Sequence, residues 1–323
     1  MPSPSDTPRL LLTGATGFFG RALLRHLRAA PARPHVVGLS REPGRFLRDY
    51  PEFAAHPGLE LVRGDIMDPA SLETLPAFDA VLHAATDSTL GPRLEPLAVF
   101  DQIVTGTRHV LDLAVRRGVR RLLLTSSGGI YGPLRLGEPV REDHSGSPDP
   151  LDPRNAYSCG KRAAEHLCSL YRQRHALECV IARCFAFIGE DLPLDVHFAA
   201  GNFIRDALAA PEITVTGDGR TVRSYLDQRD LAEWLLVLLE RGQPGRAYNV
   251  GSGAAITLGE LARLTGEILA PGKPVRILGQ PSAQPPGYYV PDVGRVRDEL
   301  GLVPRVSLEH AIRAAGAAAR LRS

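Results

Sequence analysis

The sequence predicts an α/β fold with a doubly wound parallel sheet and a smaller C-terminal domain. Short apolar runs alternate with amphipathic stretches from Arg9 onward, which is typical of strands joined by helices. A glycine-rich segment directly follows the first run. The regular alternation stops after Arg183, which indicates a change of architecture there.

The first half of the chain justifies the sheet element by element. The predicted strands are RLLLTG, HVVGLS, LELVRGD, FDAVLHAA, VRRLLLTSS and ECVIARC. The predicted helices are GRALLRHLRAA, a short turn at SLETL, VFDQIVTGTRHVLDLAVRRG and NAYSCGKRAAEHLCSLYRQR. Their apolar residues recur about every 3.6 residues, and Gly118 is expected to end the first of the two long helices. This order predicts a parallel sheet with helices on both faces.

The second half is less regular. FAFIGEDLPLDVHFAAGNF is expected to be loop-like, and ITVTGDGRTVRSYL to be a hairpin with a Gly-Asp-Gly turn. The Pro- and Gly-rich stretch GKPVRILGQPSAQPPGYYVPD is expected to be a surface loop near a ligand. Further helices are expected at NFIRDALAA, LAEWLLVLLERG, TLGELARLTGEILA and residues 307–320, with a short strand at RAYNVG.

Composition restricts the classes of function. The 323 residues are 44% hydrophobic and 23% charged with a net charge of +2, so binding to nucleic acid is not expected. No apolar run is long enough to cross a bilayer, and residues 1–8 lack the order of a secretory signal, so we expect a cytoplasmic protein without a membrane segment. The four cysteines show no CxxC spacing, so we expect reduced core thiols and no metal: Cys159, Cys168, Cys179 and Cys184.

The segment TGATGFFG predicts a dinucleotide site. It follows a strand and opens a helix, where a pyrophosphate can approach backbone N–H groups only if side chains do not obstruct it. Its glycine spacing is GxxGxxG rather than GxGxxG. The alternative is a tight glycine turn without a ligand. The expected cofactor contacts are Gly14, Thr16, Gly17, Phe18, Phe19 and Gly20.

The end of the second strand bears on the choice of cofactor. An acidic residue there would bind the adenosine ribose and repel a 2′-phosphate, but the sequence reads Ser40-Arg41. Arg41, helped by Arg45, can pair with that phosphate, which favours NADP(H) over NAD(H). Alternatively, Arg41 is a solvated charge and NAD(H) binds.

The next two strand ends provide further candidate contacts. Asp65, followed by Ile66, can hydrogen-bond the adenine amino group. Ala84 and Ala85 are small enough for the backbone to touch the cofactor. His83 beside them is more often structural than catalytic.

A hydroxyl, a phenol and an ammonium group are candidates for the chemistry. Tyr157 and Lys161 are four residues apart, on one face of a helix. An ammonium group beside a phenol lowers the phenol pKa by charge attraction, so the phenol can exchange a proton near neutral pH. YxxxK alone has low specificity; its value comes from Ser127 at the end of the fifth predicted strand.

Taken together, these motifs resemble the extended short-chain dehydrogenases, the nucleotide-sugar epimerase/dehydratase/reductase group. The resemblance rests on TGATGFFG, the Asp65 segment, LTSSGGIYG, YSCGK, GNF, GDGRTVRSYL, AYNVGSG and DELGLVP, and covers nearly the whole chain. It implies a Rossmann domain of residues 8–182 plus about 224–252. The nucleotide-sugar domain then comprises about 183–223 plus 253–320.

The resemblance also implies roles for individual residues. Ser127 orients the reacting oxygen, Tyr157 is the acid/base, and Lys161 tunes Tyr157 and binds the nicotinamide ribose. The implied substrate contacts are Thr86, Ser127, Asn202, Phe203 and Arg223. Asn202 can instead be a helix cap, and Arg223 a surface charge. The helices from Phe100 to Arg117 and from Tyr157 to Arg174 correspond to a two-helix dimer face, so a homodimer is implied; alternatively, they pack only against their own sheet.

Several positions depart from this family. Gly128 and Gly129 replace the Asp-Glu pair of the 4,6-dehydratases, which argues against water elimination because elimination needs a second positioned acid/base. Other substrate contacts are altered at Ala186, Ile103 and around Tyr288, Tyr289 and Asp292. Asp87, between Thr86 and Ser88, can supply a second acid/base for epimerisation or be a solvated loop residue.

The resulting expectation is an enzyme that uses NAD(P) to epimerise a hydroxyl or reduce a keto group of a nucleotide-diphosphate sugar. Two alternatives remain. One is the same chemistry on a non-sugar carbonyl or alcohol. The other is a dinucleotide-binding sensor without turnover, although a sensor does not need a tuned phenol.

Overall fold

The structure is a computed structural model that describes residues 8–29, 34–86, 95–134, 137–281 and 283–322. The chain divides into two compact units. The first comprises Met1–Ile130, Asp149–Arg183 and Ala232–Ala247, and the second Tyr131–Pro148, Cys184–Leu231 and Tyr248–Ser323. This division assigns residues 131–148, 224–231 and 248–252, which were predicted in the first domain, to the second unit.

A seven-stranded sheet confirms the predicted doubly wound fold. Its strands are β1 (Arg9–Thr13), β2 (His35–Ser40), β3 (Leu59–Arg63), β4 (Ala80–His83), β5 (Arg121–Ser127), β6 (Glu178–Cys184) and, later in the chain, β11 (Ala247–Val250). The order is β11-β6-β5-β4-β1-β2-β3, and β3, β2, β1, β4 and β5 pair in parallel. The order reverses between β1 and β4, and ligands of such sheets bind beyond the carboxyl ends of the strands at that point.

The predicted helices of the first half are present with shifted ends. They are α1 (Phe18–Ala29), α3 (Pro69–Glu73), α4 (Pro96–Arg116) and α5 (Ala156–His175). One further helix, α2 (Pro43–Asp49), was not predicted. Pro43 begins it, because proline suits the first helical position.

The core of the first unit lies between its sheet and helices. Leu11, Val37 and Val81 of the central strands are completely buried, as are Val110 and Leu111 of α4. Continuous apolar strands of this kind are expected where helices cover both faces of a sheet.

The second unit contains short strands and five helices among its described residues. The strands are β7 (Phe187–Ile188), β8 (Ile213–Val215), β9 (Val222–Arg223), β10 (Leu226–Asp227), β12 (Ile256–Thr257), β13 (Val275–Ile277) and β14 (Tyr288–Tyr289). The helices are α6 (Ala199–Ala209), α7 (Gln228–Arg241, which continues into the first unit), α8 (Leu258–Leu269), α9 (Gly294–Leu300) and α10 (Leu308–Arg322). Three small sheets have the orders β10-β7, β12-β9-β14 and β13-β8.

Three predictions for this half are wrong. ITVTGDGRTVRSYL is not a hairpin, because β8 pairs with β13 whereas β9 lies between β12 and β14. The Asp218 carboxylate accepts a hydrogen bond from the Arg220 N–H, and the Gly219 carbonyl accepts one from Gly259 on α8, so the turn leads away from β8. The stretch expected to be a loop contains β13 and β14, and FAFIGEDLPLDVHFAAGNF contains β7.

Three further features bear on the sequence-based expectations. No helix within the described ranges is long and apolar enough to cross a membrane. The same ranges contain no group of three His, Cys, Asp or Glu side chains that could hold a metal ion. All four cysteines are described, and all are free thiols.

Candidate active site

The glycine turn between β1 and α1 depends on its missing side chains. Gly14 has φ +72°, and a Cβ there would lie 2.6 Å from the Ala84 carbonyl oxygen. A Cβ at Gly20 would lie 2.2 Å from the Ala15 oxygen. Both glycines are therefore required for the backbone to form this turn.

Gly17 has a different environment. A Cβ at this position would meet only the Gly14 oxygen, at 3.4 Å. A small side chain therefore has room at position 17, next to the α1 N-terminus, where the first N–H groups of a helix lack partners within the helix. Thr16, Gly17, Phe18, Phe19 and Gly20, the predicted cofactor contacts, thus lie in or directly after this turn, at the N-terminus of α1.

A hydrogen-bonded chain ties β4 to this turn. The Thr13 hydroxyl accepts from the N–H groups of Ala84 and Ala85, at 3.1 and 3.2 Å, and lies 2.7 Å from Nδ1 of His83. Its own proton is thus left to donate to Nδ1, and Nε2–H donates to the Thr107 hydroxyl at 3.1 Å. Burial, with the charge of Lys161, lowers the pKa of His83 from 6.5 to about 3. His83 is therefore neutral and structural.

The residues at the ends of β2 and β3 have defined contacts. Ser40 is buried, and its hydroxyl accepts from the Glu42 N–H, whereas Arg41 is exposed. Arg45 forms ion pairs with Glu42 at 3.3 Å and Asp49 at 3.5 Å.

Asp65 and Ile66 lie directly beyond β3. The Asp65 carboxylate accepts from the Met67 N–H at 2.9 Å. Ile66 is buried, and its side chain would lie 2.4 Å from a Cβ on Gly106. The Ile66 side chain can therefore pack against α4 only because residue 106 is glycine.

Lys161 is held in one place by two acceptors. It is 3% exposed, and its Nζ donates to the Thr125 carbonyl at 2.7 Å and to the Thr86 hydroxyl at 2.9 Å. The same Nζ lies 5.9 Å from the centre of the Tyr157 ring. The structure thus brings the predicted lysine and tyrosine together, and adds Thr86 to them. Asp87 and Ser88 lie outside the described residues.

Ser127 ends β5 and is buried. Its Oγ accepts a hydrogen bond from the Gly129 N–H at 3.1 Å, so its proton is available to another acceptor. A Cβ on Gly129 would lie 3.4 Å from that oxygen and 2.7 Å from Oγ of Ser158. Ser158, which the sequence did not single out, therefore borders the same point as Ser127.

A buried ion pair joins the elements that carry these groups. Glu165 on α5 pairs with Arg183 on β6 at 2.9 Å, with side chains 12% and 14% exposed. Its carboxylate also accepts from the Ser126 hydroxyl at 2.5 Å. Glu165 lies one helical turn beyond Lys161, a spacing that could have pointed to it in the sequence.

The remaining candidates belong to the second unit. Asn202 lies inside α6, whose N-cap is Phe198, and its side-chain oxygen accepts from Arg205 at 3.2 Å, so it is not a cap. Phe203 is 3% exposed within that unit.

Arg223 lies on β9, with its guanidinium carbon 5.2 Å from the centre of the Tyr289 ring. Burial and the charge of Arg223 lower the pKa of His197. Burial raises the pKa of Tyr225 to about 12, opposed by Arg223. Arg223 is therefore a cation with an aromatic neighbour rather than an isolated surface charge.

Known proteins share both the sequence and the fold. UDP-glucuronic acid decarboxylase 6 of Arabidopsis thaliana is 31% identical over 97% of this chain and 91% of its own length. A Streptomyces venezuelae dTDP-glucose 4,6-dehydratase, DesIV, solved with NAD, has a TM-score of 0.83 and 26% identity, over 97% of each chain. RMD from Pseudomonas aeruginosa, solved with NADPH, has a TM-score of 0.77 and 26% identity, over 98% of this chain and 100% of its own.

The model of one family matches three quarters of the sequence. The matched residues, 10–251, include the glycine turn, Ser127, Tyr157 and Lys161. The Gly17 opening and the tethered lysine fit the dinucleotide that this family uses. The chain belongs to the NAD dependent epimerase/dehydratase family.

Proposed function

We propose that this protein transfers a hydride to or from one carbon of a nucleotide-diphosphate sugar, as an epimerase or a keto-sugar reductase. Tyr157 is the acid/base, Ser127 binds the reacting oxygen, and Lys161 lowers the pKa of the Tyr157 phenol by charge attraction. Asn202, Phe203 and Arg223 contribute to binding the sugar nucleotide.

The proton steps follow from the side chains. When bound, the nicotinamide ring supplies the site that accepts or returns the hydride. Tyr157 removes the proton of a sugar hydroxyl during oxidation and returns it during reduction. Ser127 already accepts from Gly129, so it donates its own proton to the sugar oxygen. The Lys161 ammonium group favours the ionised phenol by charge attraction.

The observation that carries this proposal is the fixed position of Lys161. A buried ammonium group costs free energy unless it is paired or hydrogen-bonded. Here two oxygen acceptors hold it 5.9 Å from the Tyr157 ring centre. A protein that only binds a dinucleotide has no need of a cation held beside a phenol.

Gly128 and Gly129 favour epimerisation or reduction over elimination of water. Elimination needs a second group that moves a proton, and glycine has none. At position 129 a side chain would meet Ser158. The proposal therefore differs from the named reaction of DesIV.

A second candidate is the oxidative decarboxylation of a nucleotide-linked uronic acid. It is supported by the 31% identity to a UDP-glucuronic acid decarboxylase over 97% of the chain. Oxidation of the hydroxyl β to the carboxylate gives a β-keto acid, which loses CO2 to leave an enolate. A proton from water then adds to the carbon that carried the carboxylate and gives the ketone, so no second carboxylate is required. Reduction of the resulting ketone then returns the hydride to the sugar.

Three substrates separate these reactions. Purified protein is incubated with UDP-glucose, UDP-glucuronic acid and a dTDP-4-keto-6-deoxyhexose, with NAD(H) or NADP(H), and products are followed by NMR and nicotinamide absorbance. An inverted hydroxyl without net cofactor change indicates an epimerase, and loss of reduced cofactor with the keto sugar indicates a reductase. CO2 release from UDP-glucuronic acid indicates the decarboxylase. Tyr157→Phe is expected to abolish turnover; turnover by this variant at the wild-type rate would contradict the proposed chemistry.

We also propose that NADP(H) is preferred to NAD(H). The support is Arg41 at the end of β2, where an acidic residue would otherwise bind the ribose. Arg41→Ala is expected to raise the Kd of NADP(H) about tenfold and to leave that of NAD(H) nearly unchanged, because a phosphate contact is lost. Equal effects on both cofactors in calorimetry would contradict this preference.

Homodimer formation is the remaining proposal. It would pair α4 and α5 with the same helices of a second copy, as in an isologous two-fold interface. Light scattering of the purified protein gives its mass directly, and the mass of a single chain would refute the proposal.

A further inference from the structure

Glycine at position 129 has a second consequence besides the loss of an acid/base. A Cβ on this residue would lie 2.7 Å from Oγ and 3.7 Å from Cβ of Ser158. Real Cβ atoms essentially never come within 3.0 Å of another heavy atom. The Ser158 hydroxyl therefore stands where it does because residue 129 has no side chain.

Ser158 lies between Tyr157 and Lys161 in the sequence of α5. It follows Tyr157 directly in the first turn of α5, and it is three residues before Lys161. Its Oγ and that of Ser127 lie 2.7 and 3.4 Å from the same point, the absent Cβ of Gly129. Two hydroxyls thus flank one point, and they belong to two different secondary-structure elements, β5 and α5.

We propose that Ser158 is a second hydroxyl of the substrate site, which binds a sugar oxygen adjacent to the one bound by Ser127. This inference rests on the proposed function. Neighbouring carbons of a pyranose ring carry neighbouring oxygens, and a pair of serine hydroxyls on one side matches such a pair. Ser158 is half-buried, so it remains accessible to a ligand.

A double-mutant cycle of Ser158 and Gly129 tests this inference. Ser158→Ala removes the hydroxyl, and Gly129→Ala adds a methyl group that turns the same hydroxyl away. Each variant is expected to lower kcat/KM about tenfold, the effect of one lost hydrogen bond. The double variant is expected to show the same tenfold loss, because both changes delete one contact. Ser147→Ala, an exposed serine whose hydroxyl donates to the Pro148 carbonyl, is the matched control.

Substrate binding provides a readout without turnover. In a Tyr157→Phe background, Ser158→Ala is expected to raise the Kd of the nucleotide sugar that wild-type protein turns over, with the thermal unfolding temperature unchanged. Unchanged kcat/KM and Kd in Ser158→Ala would overturn the inference. So would a tenfold loss in Gly129→Ala that appears undiminished on top of the Ser158→Ala loss, since the methyl group would then obstruct substrate directly.

The proposed function fails in a different way. If wild-type protein turns over no nucleotide sugar in the panel, the proposed reaction is refuted. Calorimetry of UDP-glucose and UDP-glucuronic acid binding to Ser158→Ala, with Ser147→Ala as the control, then tests the binding role of Ser158 alone. Affinities equal to wild type for both ligands would overturn the inference in that case as well.

Discussion

Replacing Arg183 by methionine tests whether the buried ion pair with Glu165 stabilises the first unit. The two side chains are 14% and 12% exposed, and the guanidinium makes hydrogen bonds of 2.9, 3.1 and 3.3 Å to the carboxylate. Removing one partner leaves the other charge buried, with Ser126 as a remaining donor. Breaking a buried pair in this way costs about 3–5 kcal/mol. We expect Arg183→Met to lower the free energy of unfolding by an amount in that range.

Urea unfolding at neutral pH measures this loss, with the first unit followed by an amide-exchange or spectroscopic probe. Arg276→Met is the matched control, since Arg276 pairs with Glu212 at 3.3 Å but is 65% exposed. An exposed pair contributes less than about 1 kcal/mol, so the control should remain close to wild type. If both variants lose equally little, the burial argument is wrong.

Two further predictions concern the cofactor side of the sheet. Because folding lowers the pKa of His83 from 6.5 to about 3, only the unfolded chain is protonated between these values, so stability is complete above pH 6.5 and falls as the pH decreases toward 3. In this range His83 makes the unfolding free energy fall by about 1.4 kcal/mol for each pH unit. His83→Gln should therefore reduce the pH dependence of the unfolding free energy between pH 6.5 and 5. The same slope in the variant and the wild type would contradict this. Gly17→Ala should weaken dinucleotide binding, measured by calorimetry, while its melting temperature stays near wild type. Gly14→Ala should instead destabilise the fold, because Gly14 has φ +72° and its new Cβ would meet the Ala84 oxygen. Equal losses of stability in the two variants would show that the glycines do not have these separate roles.

The first six strands could be predicted because their signals are local. Five of them (β1, β2, β4, β5 and β6) are mostly apolar, buried runs in the interior of the sheet, as expected where helices cover both faces. The sixth, β3, lies at the edge of the sheet and is only partly buried. Strands of two or three residues have no such signal. β8 and β9 have partners far along the chain, in β13, β12 and β14. The Gly-Asp-Gly turn between them could not reveal those partners.

The candidate site shows the same limit. Tyr157 and Lys161 share a helix, so their proximity follows from a spacing of four residues. Contacts between distant segments were not predictable: Lys161 with Thr86 and Thr125, and Ser158 with the empty position at Gly129. At position 129 the sequence indicates only that glycine has no proton to give, whereas the structure also shows the space that it leaves next to Ser158.

The Thr13 hydroxyl has a practical consequence for redesign. It lies at the end of β1, directly before the glycine turn, and is hydrogen-bonded to Ala84, Ala85 and His83 at the end of β4, so one side chain links the two strand ends at the sheet reversal. A transplanted turn would need this threonine, or a serine in its place, to keep its shape. Arg41, at the end of β2, is exposed and takes part in none of these bonds, so a substitution there leaves them intact.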